Sequence, residues 1–127
     1  MNNQKHTNLD PVKISVVTVC YNMAEYIEQT IKSVLDQDYP NLEILALNDN
    51  SSDNTGQIIA QYETNHSQVS GYEGESLPAD WLGKNWACWQ LSRVAKGNIL
   101  LFVDADTWHN RNAISSGPGP DAPLPIE

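Results

Sequence analysis

Three short stretches, Lys13–Val19 (KISVVTV), Leu42–Leu47 (LEILAL) and Asn98–Val103 (NILLFV), read as near-continuous apolar runs of strand length. A strand with one wet face alternates apolar and polar residues; a run that does not alternate suits a strand covered on both faces, as in a parallel sheet. Between these runs the period changes from two to that of a helix. Ala24, Ile27, Ile31, Val34 and Leu35 recur along one helical face, and Asn22 with Glu25 has the spacing of a capping box. Tyr39-Pro40-Asn41 stops that helix. The polar loop Asn48–Asp53 then leads into a second helix carrying Ile58, Ile59 and Tyr62, which Asp53 can cap. A third helix, from about Asn85 to Ala95, places Ala87, Cys88, Leu91 and Val94 on one face and stops at Lys96-Gly97. Gln68–Ser70 gives a weak signal for a further strand, and Gly71–Gly83 reads as a long loop.

Strands alternating with helices predict an α/β fold: a mostly parallel, doubly wound sheet with helices on both faces. Ligands of such sheets bind beyond the carboxyl ends of the strands. The segments beginning at Tyr21, Asp49 and Asp104 all fall at such ends.

A length of 127 residues suits one domain, and 40% hydrophobic with 18% charged residues is ordinary globular composition. The expected parts are a disordered segment over 1–12, the folded domain over 13–110, and a disordered Pro/Gly-rich tail over 111–127. A formal net charge of −9 repels phosphodiester backbones and anionic head groups, which argues against nucleic acid as a partner. Any phosphate ligand then needs a bridging cation. No run approaches 18 apolar residues and the N-terminus has no hydrophobic core segment, so neither a transmembrane helix nor a secretory signal is expected and the chain reads as cytoplasmic. Cys20 and Cys88 lack metal-type or CxxC spacing and read as reduced, structural residues.

Asp104 and Asp106 flank one residue at a strand end, where both carboxylates can offer hard oxygen ligands to Mg2+ or Mn2+ and leave positions for phosphates. The same pattern also serves as a turn with helix-capping groups. Tyr21 can stack on a nucleobase or close the top of the core. Asp49 can accept a base N–H or close its own loop. Lys84, just before the third helix, offers an ammonium beside free backbone N–H groups, or is a solvated surface residue. Trp81, Trp86, Trp89 and Trp108 gather near these segments, where core packing competes with an apolar acceptor site.

Together these pieces resemble the family 2 glycosyltransferases, inverting enzymes of the GT-A fold. The matching text is Ser15–Asn22, Ser33–Pro40, Glu43–Leu45, Asn48–Thr55, Gly83-Lys84 and Val103–Asp106, over about Lys13 to His109. The resemblance implies that Val19, Tyr21 and Asp49 hold the base of a nucleotide-diphosphate sugar, usually a uridine diphosphate (UDP) sugar, and that Lys84 approaches the donor. It implies that Asp104 contacts the ribose and metal, with Asp106 as the main ligand of the divalent cation. Leu77–Cys88 looks most like a subgroup linked to hopanoid and carotenoid glycosylation, which points to a lipid acceptor and to longer relatives at the inner face of the membrane. Asn48-Asp49 departs from the family's Asp-Asp, and Ala87-Cys88-Trp89 from its Ala-Leu-Asn. The family's general base and acceptor elements lie well downstream of the Asp pair, so the domain is expected to be incomplete at its C-terminus and the chain alone inactive. A non-catalytic nucleotide-sugar binding module is the alternative. A nucleotidyltransferase is disfavoured because Thr18–Asn22 lacks that class's glycine-rich loop, and a dinucleotide oxidoreductase because it lacks GxGxxG.

Overall fold

The computed structural model describes residues 11–116. Four strands, β1 (Ile14–Cys20), β2 (Leu42–Asn48), β3 (Val69–Glu73) and β4 (Ile99–Phe102), form one sheet in the order β3-β2-β1-β4 with every pairing parallel. Helices α1 (Ile27–Leu35), α2 (Thr55–Asn65) and α3 (Gly83–Val94) complete it. Among the described residues no helix is long and apolar enough to cross a membrane.

The apolar runs of β1 and β2 are explained by two cores, one on each face of the sheet; β4 departs from the expected double cover, since it is an edge strand whose Ile99, Leu100 and Phe102 are exposed among the described residues. Ile14, Val16 and Cys20 of β1 join Ile44 and Ala46 of β2 in packing under Ile27, Ile31 and Val34 of α1 and Ile59 of α2. The intervening residues Val17, Leu45 and Leu47 pack under Ala87 and Leu91 of α3. Leu91 is fully buried, a placement that contributes about 1.5–3 kcal/mol for such a side chain. On α3 only part of the expected face is covered: Ala87 and Leu91 are buried, whereas Val94 is 39% exposed.

Several local expectations are corrected. Helix α1 begins at Ile27, so the Asn22–Glu25 capping box is not formed. Asn22 instead adopts a left-handed φ of 51° in the loop before it. Strand β3 extends to Glu73 through residues expected to be loop. Residues 111–116, assigned by composition to the tail, turn back onto the end of α1: Asp38 N–H donates to the Arg111 carbonyl (2.9 Å), Gln37 Nε2 to the Asn110 carbonyl (2.5 Å), and Ile114 N–H to Gln37 Oε1 (3.0 Å). Ile114 also packs against the core under α1, which holds the turn in place. The rest of that tail and residues 1–10 lie outside the described residues.

A buried polar knot closes the end of the sheet opposite the strand carboxyl ends. Ser15 Oγ donates to Glu43 Oε2 (2.5 Å), the Lys96 N–H donates to the same oxygen (2.7 Å), and the Gly97 N–H donates to Ser15 Oγ (2.8 Å). Burial disfavours the Glu43 charge, but the Ser15 and Lys96 hydrogen bonds, helped by the Lys13 and Lys96 ammonium groups, outweigh it and hold the carboxyl below its ordinary range. A carboxyl with a depressed folded pKa stabilises the fold fully above its unfolded pKa and loses that contribution as pH falls through the folded value. Urea midpoints are therefore expected to drop as pH is lowered below about 4.5, the ordinary glutamate value. Glu43→Gln should flatten that part of the profile and cost about 1–3 kcal/mol at pH 7. An unchanged profile in the variant would show that other carboxyls carry the acid sensitivity.

Candidate functional site

The loops after β1 and β2 are zipped together at the carboxyl end of the sheet. Asn22 N–H donates to Ser51 Oγ (2.9 Å), Met23 N–H to Thr55 Oγ1 (2.8 Å) and Ala24 N–H to Asp53 Oδ2 (3.2 Å). In return the Ser52 N–H donates to Asn22 Oδ1 (2.7 Å). Asp53 does receive the N–H of Thr55, the first residue of α2 (3.0 Å), and the hydroxyl of Thr55 keeps its carboxyl below the usual range. Its second oxygen serves the other loop, so it braces the two loops; the cap position of α2 is Asn54 rather than the expected Asp53, and Asn54 makes no side-chain cap hydrogen bond. Sequence spacing could not reveal the brace, because each loop-to-loop bond joins residues about thirty positions apart.

The brace fixes Asp49. Its N–H donates to the Cys20 carbonyl (2.8 Å), which ties the end of β2 to that of β1, and Asn50 Nδ2 donates to its Oδ1 (3.3 Å). Asn50 takes a left-handed φ of 59°, a conformation that Asn tolerates better than most residues. Beneath it, Asn48 is buried, donates to Glu73 Oε1 (3.1 Å) and receives the Ser51 N–H (3.3 Å). The departure from an Asp-Asp pair is thus matched by a carboxylate on the neighbouring strand, against which an amide bonds and a second carboxylate would be repelled.

A cavity of about 430 Å³ opens above these strand ends, lined by Tyr21, Asp49, Glu75, Leu77, Gly83 and Trp86 among others. Tyr21 is 60% exposed, so it does not close the core. Val19, by contrast, packs with the α3-side core. Helix α3 starts at the cavity wall: Gly83 lines it, and the cap residue Leu82 makes no side-chain hydrogen bond to the first turn. The first-turn N–H groups have no partner within the helix and carry the positive end of its dipole. The Lys84 side chain lies outside what the structure describes.

Asp104 and Asp106 follow β4, on the other side of β1 from β2, and both are exposed. Their turn is held by the Thr107 hydroxyl, which donates to the Asp104 carbonyl (2.8 Å), and by buried Thr30 of α1, whose hydroxyl donates to the Ala105 carbonyl (2.8 Å). Among the described residues no group of three or more His, Cys, Asp or Glu side chains is gathered as a metal cage. Two exposed carboxylates on a fixed turn still suit Mg2+ or Mn2+, since Mg2+ in particular is usually held by one or two carboxylates together with substrate phosphates.

The tryptophans divide. Trp81, Trp86 and Trp89 form one cluster, with ring centroids 5.1–5.6 Å apart. Trp108 lies apart, in a shallow groove of about 810 Å³ between α1 and α2 that also holds His66 and His109. This larger groove is lined by neither Tyr21 nor any of the three candidate aspartates.

The family model for glycosyl transferase family 2 matches residues 15–116. TuaG of Bacillus subtilis (strain 168), named for teichuronic acid biosynthesis, is 37% identical over 100 residues, covering 79% of this chain and 38% of TuaG. The structure of S. aureus TarS 1–349 in complex with UDP superposes with a TM-score of 0.64 at 30% identity, over 81% of this chain and 30% of that one. The mannosyltransferase PcManGT from Pyrobaculum calidifontis, in complex with GDP-Man and Mn2+, superposes with a TM-score of 0.65 at 26% identity, over 79% and 29%. The chain thus spans well under half the length of these relatives, and its all-parallel α/β sheet is the GT-A arrangement that they share. On the family match and the fold together, this chain belongs to glycosyltransferase family 2.

Proposed function

We propose that this chain is the donor-binding part of an inverting glycosyltransferase, which holds a nucleotide-diphosphate sugar, a UDP-sugar first, through Mg2+ or Mn2+ for transfer to a lipid or saccharide acceptor. The observation that carries the reading is the cavity that brings Tyr21 and Asp49, from two different strand ends, to the N-terminus of α3. Tyr21 and Asp49 would hold the base, with Val19 supporting Tyr21 from the core below. Lys84 and the α3 N–H groups would meet the diphosphate, and Asp104 and Asp106 the ribose and cation. The cation would neutralise the diphosphate as it leaves with the nucleotide. The narrower hopanoid and carotenoid reading rests on the wording of Leu77–Cys88 alone.

Transfer with inversion also needs a carboxylate to take the acceptor's proton on the face opposite the departing diphosphate. Residues 107–116 contain no Asp or Glu, so that group is not among the described residues beyond Asp106. Donor binding is accordingly the property to test. In calorimetry with Mn2+, UDP is expected to bind with a Kd below about 1 mM and at least about tenfold more tightly than adenosine diphosphate. No heat from any nucleoside diphosphate at millimolar concentration would overturn the reading.

A further inference from the structure

Trp86 is a half-buried residue of α3 whose ring is oriented from outside the helix. Its indole Nε1–H donates to the Glu75 carbonyl (3.1 Å), the Glu75 N–H donates to Gln90 Oε1 one turn along α3 (2.8 Å), and the Gly74 N–H donates to the Asn48 carbonyl at the end of β2 (2.9 Å). Gly74 and Glu75 are therefore pinned to β2 and α3, and the Glu75 carbonyl sets the angle of the indole. Behind Trp86, the Trp89 ring stacks at 5.1 Å with an interplanar angle of 17°, Trp81 meets it edge-on at 5.2 Å, and the Arg93 guanidinium lies 4.8 Å from the Trp89 centroid. An indole so held is a preorganised wall that loses little side-chain freedom when a ligand arrives. It lines the same cavity as Tyr21 and Asp49.

We propose that Trp86 is a nucleobase-binding residue: it supplies an aromatic wall of the pocket whose other walls are Tyr21 and Asp49, and the Glu75 carbonyl fixes its orientation. This rests on the donor-site reading above. A planar, π-faced ligand fits a rigid indole beside an exposed phenol, and the Asp49 carboxylate at the same cavity can accept an N–H from the base edge. Trp81 and Trp89 support Trp86 from behind and do not line the cavity.

The chain has four tryptophans, so Trp81→Phe/Trp89→Phe/Trp108→Phe leaves Trp86 as the sole indole. UDP with Mg2+ is expected to change the fluorescence of this variant along a saturating curve, whereas inorganic pyrophosphate with Mg2+, which carries no base, should leave it unchanged. In the otherwise native chain, Trp86→Leu should weaken UDP about tenfold or more, the scale of losing one base–aromatic stack, while Trp86→Phe retains most of the affinity. Pyrophosphate affinity should be the same in all three, which a merely structural loss would not allow; this calorimetric arm decides the matter should the triple variant fail to fold. If native protein binds UDP but Trp86→Leu binds it equally well, the role of Trp86 is overturned and the donor site stands. If native protein binds no UDP, the donor-site reading falls first.

Discussion

Chelating the divalent cation is expected to weaken UDP binding by about a hundredfold or more. The proposed site sets the diphosphate near Asp49, Asp104 and Asp106 in a chain of net charge −9. At a separation of about 6 Å and an effective dielectric of about 20, one carboxylate and one phosphate charge repel by about 3 kcal/mol, and each 1.4 kcal/mol is a factor of ten. Lys84 and the first turn of α3 offset only part of this. Calorimetry with Mn2+, with Mg2+ and with chelator separates the cases, and Asp106→Asn should remove about tenfold or more of the cation-dependent affinity. Equal affinity with chelator present would take the metal out of the site; a variant indistinguishable from native protein would take Asp106 out.

Gly97→Ala should destabilise the fold by at least about 3 kcal/mol, or prevent folding. A Cβ on Gly97 would stand 2.6 Å from Ser15 Oγ, 2.7 Å from the Ser15 N and 2.8 Å from the Lys13 carbonyl oxygen. Two of these are backbone atoms, one in β1 and one immediately before it, which cannot turn aside as a side-chain end can. Overpacking commonly costs about 1–3 kcal/mol; here relief would also pull Gly97 N–H from Ser15 Oγ and disturb the Glu43 knot. Against a total stability of about 5–15 kcal/mol that is a large fraction, visible in the urea midpoint. Gly83→Ala, where a Cβ meets nothing within 4 Å, is the matched control. A native-like midpoint in Gly97→Ala would mean that β4 can move away from β1 at little cost.

The elements legible in the sequence were those whose signal is local. β1 and β2 are apolar enough to be read as doubly covered strands, and the 3.6-residue period of Ile27, Ile31 and Val34 marks α1; β4 was legible as a strand, but its double cover was not borne out, because an apolar run does not say which neighbours will cover it. β3 was nearly invisible because Ser70, Gly71 and Tyr72 are only half-buried; what makes them a strand is register against β2. Gly71 leaves room there for Ile59 of α2, which a Cβ would approach to 2.7 Å. Asn22 has the composition of a helix cap, but the hydrogen bonds offered by Ser51 and Ser52 come from a loop that sequence distance hides. For the site, Tyr21, Asp49 and the Asp104–Asp106 turn were legible as strand-end positions. Trp86 was not separable from its three neighbours, since its orientation depends on a carbonyl eleven residues earlier.

The strand order also constrains the history of the chain as it is made. β1, the central strand, pairs with β2 on one edge and β4 on the other, and β4 is the last strand in the order of synthesis among those described. At roughly 5–20 residues per second, on the order of ten seconds pass between the emergence of β1 and that of its second partner. Throughout that interval the nascent sheet presents one bare edge of β1, and only then do Ile99–Phe102 cover it. Translation rate between codons 50 and 100 should therefore govern how much newly made protein needs a chaperone.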